Sequence, residues 1–259
     1  MQGAAFFDLD RTLISGASIF PFALEAWRAG LVRNREIASW ALSAASFKLF
    51  GEDPSRPEQI RGQFLGKVAG ISVSQLEEVS RELLPKLVAS VRPESRRLVK
   101  MHAEAGRDTW IVSASPQEIV APLADALGMS GAIGTKGRVV DGHYTDELEG
   151  PFVYRDGKAE AVAALAAERG YDLELCYAYS DSASDLPMLK LVGHPVTVNP
   201  DGHLEEVAYE QGWPIVIFAR RTKRVVAASS LVGGGAGLSA AAYFLGRRHG
   251  RIAERARAG

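Results

Sequence analysis

Short apolar runs and amphipathic stretches alternate along most of this chain, and that alternation constrains its fold more than any other feature. Strand-like runs fall at 4–8, 108–114, 174–180, 194–198 and 214–218, and helical patterns at 116–128, 157–169, 184–192 and 203–211 separate the later ones. Strand and helix at this spacing build βαβ units, hence a mostly parallel sheet covered on both faces, a doubly wound α/β fold. One tract breaks the rhythm. From about 17 to 91 no strand is legible, only amphipathic segments near 18–30, 33–50, 56–69 and 73–90. Asp53-Pro54 and Arg56-Pro57 interrupt that tract and Arg92-Pro93 closes it. The expectation is a core of residues 1–16 and 92–219, with an all-helical cap, 17–91, inserted after the first strand. Such a cap would lie over the carboxyl edge of the sheet, where open α/β sheets bind ligands. A helix near 93–105 leads into the second strand, and Asp141-Gly142 within 136–148 marks a β-hairpin.

Four stretches at strand ends or helix starts share a chemistry. The first strand finishes on Asp8, with Asp10 two residues on; alternation along a strand would point both the same way while Leu9 turns inward. WIVSASP ends the second strand on Ser113, with Pro116 placed to open a helix. Lys158 follows Gly157 at another helix start, and CYAYSDSASD ends a strand with Asp181 and carries Asp185 one helical turn later. Singly, each has a plain structural explanation as a cap, turn or solvated charge. Gathered at one edge, they supply carboxylates for a hard cation, with a hydroxyl and an ammonium for an anion. Oxygen-only ligation without nearby His or Cys suits Mg²⁺. Ser113 offers its hydroxyl and the free N–H groups of a helix start to phosphate oxygens, and Lys158 neutralises charge on the same phosphate.

Composition narrows the class. The chain has 259 residues, 47% hydrophobic and 24% charged, with a formal net charge of -1. That balance gives no case for a nucleic-acid partner. The single cysteine, Cys176, lies in the apolar run LELCYAY and reads as a buried thiol. No secretory signal is visible, so the catalytic part is expected in the cytoplasm. The tail, 220–259, differs in character. Residues 225–246 carry no charge over 22 positions and are flanked by RRTKR and RRHGR. A helix of that length is roughly 33 Å long, comparable to a bilayer's hydrocarbon core. Its Gly, Ala and Ser content leaves a surface helix as the competing reading of a membrane-associating one.

The four stretches resemble the motif set of the haloacid dehalogenase-like hydrolases, over roughly residues 4–218. DLDRT matches the nucleophile motif, the serine of IVSAS the second, Lys158 the third and SDSASD the fourth. A helical insert after the first motif is similar to the phosphoserine-phosphatase-like branch, subfamily IB. The resemblance implies an Mg²⁺-dependent phosphomonoesterase acting on a small phosphorylated substrate. Asp8 would be the nucleophile, forming an aspartyl-phosphate, and Asp10 the acid/base. Asp8, the Asp10 carbonyl and Asp181 would hold the metal. Ser113, Lys158 and Thr12 would bind phosphate, with Asp185 in support. Two features depart from phosphoserine phosphatases: ISGASIF has no acid before Glu25, and Ala114 and Ser115 replace a glycine pair. The leaving group therefore stays open between a small amino acid or alcohol and a lipid, and the oligomeric state is not legible. A dehalogenase proper would not need both Asp10 and Asp181. A phosphomutase finds no sugar-specific signal, and a phospho-accepting signalling domain would lack the helical insert.

Overall fold

A computed structural model describes residues 2–31, 62, 65, 66 and 68–218. The expected segment 33–50, most of the expected segment 56–69, and the tail with its uncharged run lie outside the described residues. Residues 1–218 form one compact unit. Its elements are β1 (Ala4–Asp8), α1 (Ile19–Arg28), α2 (Val73–Ser90), α3 (Pro93–Glu104), β2 (Asp108–Pro116) and α4 (Gln117–Ala126). There follow β3 (Gly131–Thr135), β4 (Gly137–Val140), β5 (His143–Leu148), α5 (Asp156–Arg169), β6 (Tyr177–Ser180) and α6 (Leu186–Leu191). The last are β7 (His194–Val198), α7 (Gly202–Gln211) and β8 (Ile215–Val216).

Six strands form one sheet in the order β3-β2-β1-β6-β7-β8, and all their pairings are parallel. β1 is buried along its whole length and serves both faces. Ala5 and Phe7 join a cluster with Ile111, Val120 and Leu123, while Ala4 and Phe6 join Trp110, Val112, Val162 and Met188. A strand apolar on both faces is what a central position in a parallel sheet demands. β1 is flanked by β2 and β6, with Asp8 opposite Val112 and Phe7 opposite Tyr179. The chains leaving β1, β2 and β6 thus emerge side by side at the carboxyl edge.

α1 and α2 belong to the expected helical insert. Ser72 opens α2 with a capping box to Gln75. The chain crosses into the insert and back along a short antiparallel pairing. Ile14 lies opposite Val91, Ser15 N donates to Ser90 O at 2.9 Å, and Arg92 N donates to Leu13 O at 3.0 Å. The hairpin β4–β5 turns at Asp141-Gly142 with both residues at positive φ, as a two-residue primed turn requires. Gly70 N donates to Tyr144 O at 2.8 Å and Tyr144 N to Ile71 O at 2.9 Å, so β5 braces the insert.

Several expectations need correction. The alternation expected through Asp10 stops at Asp8, because Leu9–Leu13 winds into a wide turn closed by Ile14 N to Leu9 O at 3.0 Å. The second strand does not end on Ser113 but runs to Pro116, which lies opposite Thr135 after an irregularity in register. The run 174–180 begins as a single 3₁₀ turn, Leu173–Leu175, before β6. Strand β3 was not foreseen. Cys176 is buried, with Ala4 N donating to its Sγ at 3.2 Å.

Candidate active site

The turn after β1 sets the first half of the site. Asp8, last in the strand, is buried, and its Oδ1 accepts from Lys158 Nζ at 2.5 Å. The Leu9–Leu13 turn then brings Asp10 round so that its Oδ1 accepts from Ser18 N at 2.7 Å, one residue before α1 begins. Arg11 sits at φ 60°, a left-handed conformation uncommon for a residue with a side chain, held by Arg11 N to Gly16 O at 3.0 Å. Thr12 is buried; its carbonyl accepts from Ser95 Oγ and its hydroxyl donates to Asp181 Oδ1 at 3.4 Å. In this geometry Thr12 holds Asp181 in place, whereas the resemblance implied a phosphate contact.

The other half comes from the end of β2, the start of α5 and the loop after β6. Ser113 Oγ accepts from Ser115 N at 3.1 Å, which leaves its hydrogen available to an anion, and Ser115 Oγ meets Ser18 Oγ at 3.2 Å. Lys158 lies in the first turn of α5, is buried, and donates to Asp185 Oδ2 at 2.8 Å as well as to Asp8. Asp185 Oδ2 also accepts from Ser180 Oγ at 2.7 Å, while its Oδ1 is buried without a partner. Arg11 Nε reaches Asp181 Oδ2 at 2.8 Å. Asp201 caps α7 and ties down the loop carrying Asp181: Ala183 N donates to Asp201 Oδ2 at 2.8 Å and Asp201 N to the Asp181 carbonyl at 2.8 Å. The structure therefore brings Asp8, Asp181, Asp185 and Lys158 together, with Asp10, Thr12 and Ser113 around them. Sequence reasoning missed Arg11 and Asp201. Arg11 lay inside the quoted motif, and Asp201 stands before a helical pattern as a capping residue does.

Burial dominates the electrostatics. It holds Asp8 well above the usual carboxylate range, with Lys158 opposing and Asp185, Asp181 and Asp10 adding to it. Asp181 is pushed up to about 7, again chiefly by burial, with Arg11 pulling down. Asp10 is raised by burial against the hydrogen bonds from Ser18. Burial opposes the charge of Lys158, but Asp185 and Asp8 outweigh it and raise the ammonium above its ordinary value. Four carboxylates, Asp8, Asp10, Asp181 and Asp185, face two cations, Lys158 and Arg11, so with every carboxylate ionised the cluster would carry a surplus of two negative charges. One divalent cation would balance that surplus. Among the described residues no three His, Cys, Asp or Glu side chains converge as a full ligand cage. The donors at the sheet edge instead suit a cation that takes few carboxylates and keeps its waters, as Mg²⁺ does.

A parallel sheet with acidic loops and a buried lysine at its carboxyl edge, under a helical insert, describes a class of hydrolase. The model of the haloacid dehalogenase-like hydrolases matches residues 5–190, and the chain belongs to that family. It is 37% identical over 255 residues to phosphoserine phosphatase SerB1 of Mycobacterium tuberculosis, covering 97% of this chain and 82% of that protein. It is 33% identical over 226 residues to the histidinol-phosphatase of Neisseria meningitidis, covering 84% of this chain and all of that protein. A solved structure of a Bordetella pertussis protein of unknown function matches with a TM-score of 0.72 at 29% identity, over 83% of this chain and 98% of that one. The chain is an enzyme of the family, a phosphatase of the phosphoserine-phosphatase-like kind.

Proposed function

We propose that this phosphatase hydrolyses the phosphate monoester of a small alcohol through an aspartyl-phosphate on Asp8. The observation that carries the reading is the buried Lys158 bridging Asp8 and Asp185 at the carboxyl edge of the sheet. A phosphoryl group brought against Asp8 meets an ammonium and a hydroxyl aimed at its oxygens. An Asp8 oxygen attacks phosphorus while the ester P–O bond breaks, and Asp10, held by burial toward its protonated form, gives its proton to the departing alkoxide. Water then attacks the aspartyl-phosphate, Asp10 takes its proton, and phosphate and free Asp8 are released. Asp8, Asp181 and the Asp10 carbonyl would hold Mg²⁺, which when bound offsets the negative charge of nucleophile and phosphoryl group. Asp185 positions Lys158, and Thr12 positions Asp181.

The names of the two relatives carry leaving groups of one type. Serine and histidinol are both alcohols with an amine on the adjacent carbon, so we take an amine-bearing alcohol as the substrate class. A lipid phosphate is the second reading, and the uncharged run 225–246 favours it. We also propose that this run attaches the enzyme to a membrane. No helix among the described residues is long and apolar enough to cross one. The test of the chemistry is Mg²⁺-dependent release of phosphate from p-nitrophenyl phosphate. Asp8→Asn should abolish it while leaving the circular dichroism spectrum unchanged. Full turnover by the Asn variant, with deamidation excluded by mass spectrometry, would overturn the covalent route.

A further inference from the structure

The hydroxyl proposed for the phosphate and the carboxyl proposed as acid/base stand on separate pieces of chain. Ser113 lies near the end of β2 and Asp10 in the turn after β1, yet two serines join them. Ser115 N donates to Ser113 Oγ at 3.1 Å. Ser115 Oγ meets Ser18 Oγ at 3.2 Å, and Ser18 N donates to Asp10 Oδ1 at 2.7 Å. Ser113 and Ser18 are buried, and Ser115 is half-buried. The chain of contacts passes from β2 to the first residue before α1, and from there to the turn that carries Asp10. Ser115 is its middle: the backbone N–H serves the phosphate side and the hydroxyl serves the acid/base side.

Ser18 forgoes an ordinary role to make this contact. A serine just before a helix usually turns its hydroxyl onto the free N–H groups of the first turn. Ser18 precedes α1 and makes no such cap, with its backbone at φ -62° and ψ -26° and its hydroxyl against Ser115. Its N–H is spent on Oδ1 of Asp10, which leaves Oδ2 to carry the proton bound for the leaving oxygen. A shift of Ser18 would turn that carboxyl, and rate falls steeply when a reacting group is misaimed. We propose that Ser115 is a positioning residue: its hydroxyl holds Ser18, and through the Ser18 N–H it aims the Asp10 carboxyl at the ester bound by Ser113. The proposal rests on the phosphatase reading and deepens it. Ser115 is also one of the two residues standing in place of a glycine pair, and a glycine cannot make the side-chain contact.

A general acid matters most when the departing group is basic, and a nitrophenolate leaves without a proton. Phenyl phosphates substituted from p-nitro to p-methoxy vary that basicity at nearly constant shape, and their kcat/KM values report phosphoryl transfer to Asp8. Ser115→Ala should lower kcat/KM about tenfold for the p-methoxyphenyl ester and less than about twofold for the p-nitrophenyl ester. Ser18→Ala should show the same split, and the double variant should lose no more than either single one, because all three break one contact. Thermal unfolding would show that the variants fold, and Ser18→Ala carries the test by itself if Ser115→Ala does not. An equal loss on both esters in a folded variant, no loss on either, or losses that multiply in the double variant would overturn the positioning role. Failure of the wild-type enzyme to hydrolyse p-nitrophenyl phosphate would overturn the underlying phosphatase reading instead.

Discussion

Asp10 and Asp181 are both aspartates raised by burial, yet their neighbours differ in a way that matches the different roles proposed for them. Asp10 faces the start of α1 and is raised by burial against the hydrogen bond from Ser18 N, which suits its side chain to the proton transfer proposed for it. Asp181 is gripped by Thr12 and Arg11 in a loop that Asp201 ties down, a rigid mount suited to a metal ligand. Asp10→Asn should therefore leave Mg²⁺ affinity nearly intact and slow turnover by about 10²–10⁴-fold. Asp181→Asn should weaken Mg²⁺ binding, measured by calorimetry, with activity partly restored at high Mg²⁺. Equal metal dependence in both variants would reverse these roles. A third residue bears on stability. His102 is fully buried, accepts from Arg107 Nε at its Nδ1, and so donates from Nε2 to Tyr179 Oη at 2.8 Å. Burial first, then Arg107, lower it to about 4. The unfolded chain takes up that proton near 6.5 and the folded protein does not, so the stability from the neutral ring is complete above 6.5. It declines as the pH falls and levels off near 4. The loss amounts to about 3 kcal/mol. Urea unfolding at several pH values should show this slope in the wild-type protein and not in His102→Gln.

Strands and helices were legible where apolar periodicity was strong, and the site was legible because its acids and lysine stand at the ends of those elements. β3 was not, because GAIGT carries little β-propensity. Its glycines answer to neighbours: a Cβ on Gly131 would stand 2.4 Å from the Trp110 ring, and one on Gly134 2.8 Å from Gln117 Cα. Such contacts are set by the sheet and helix packing around the strand, which no local pattern announces. Arg11's grip on Asp181 joins residues far apart in sequence and was hidden for the same reason. Gly157 shows the reverse, a glycine whose use bears on the chemistry. A Cβ there would fall 1.9 Å from the Phe152 carbonyl oxygen, a backbone atom that cannot step aside. Gly157→Ala should displace the start of α5, move Lys158 off Asp8, and cost about 1–3 kcal/mol of stability. Its kcat should drop about tenfold or more. Gly202→Ala, with nothing within 4 Å of its Cβ, should match the wild type in both melting temperature and kcat.

The described part of the molecule ends at Phe218, and the tail beyond it carries the proposed membrane attachment. Cells expressing full-length protein or a chain ending at Arg220 should partition differently, with only the full-length form sedimenting with membranes through low- and high-salt washes. Recovery of both forms in the supernatant would end that proposal. The paired crossing at Ile14–Val91 has another consequence. It fixes the two ends of the insert at the spacing of neighbouring antiparallel strands, whatever lies between them. The insert is in effect a cassette whose two ends share one clasp. Its helices can be lengthened, shortened or exchanged over generations without moving β1 or the acids that follow it. A lineage can therefore retarget the enzyme to new alcohols by trading one block of sequence, while the phosphoryl chemistry beneath is inherited unchanged.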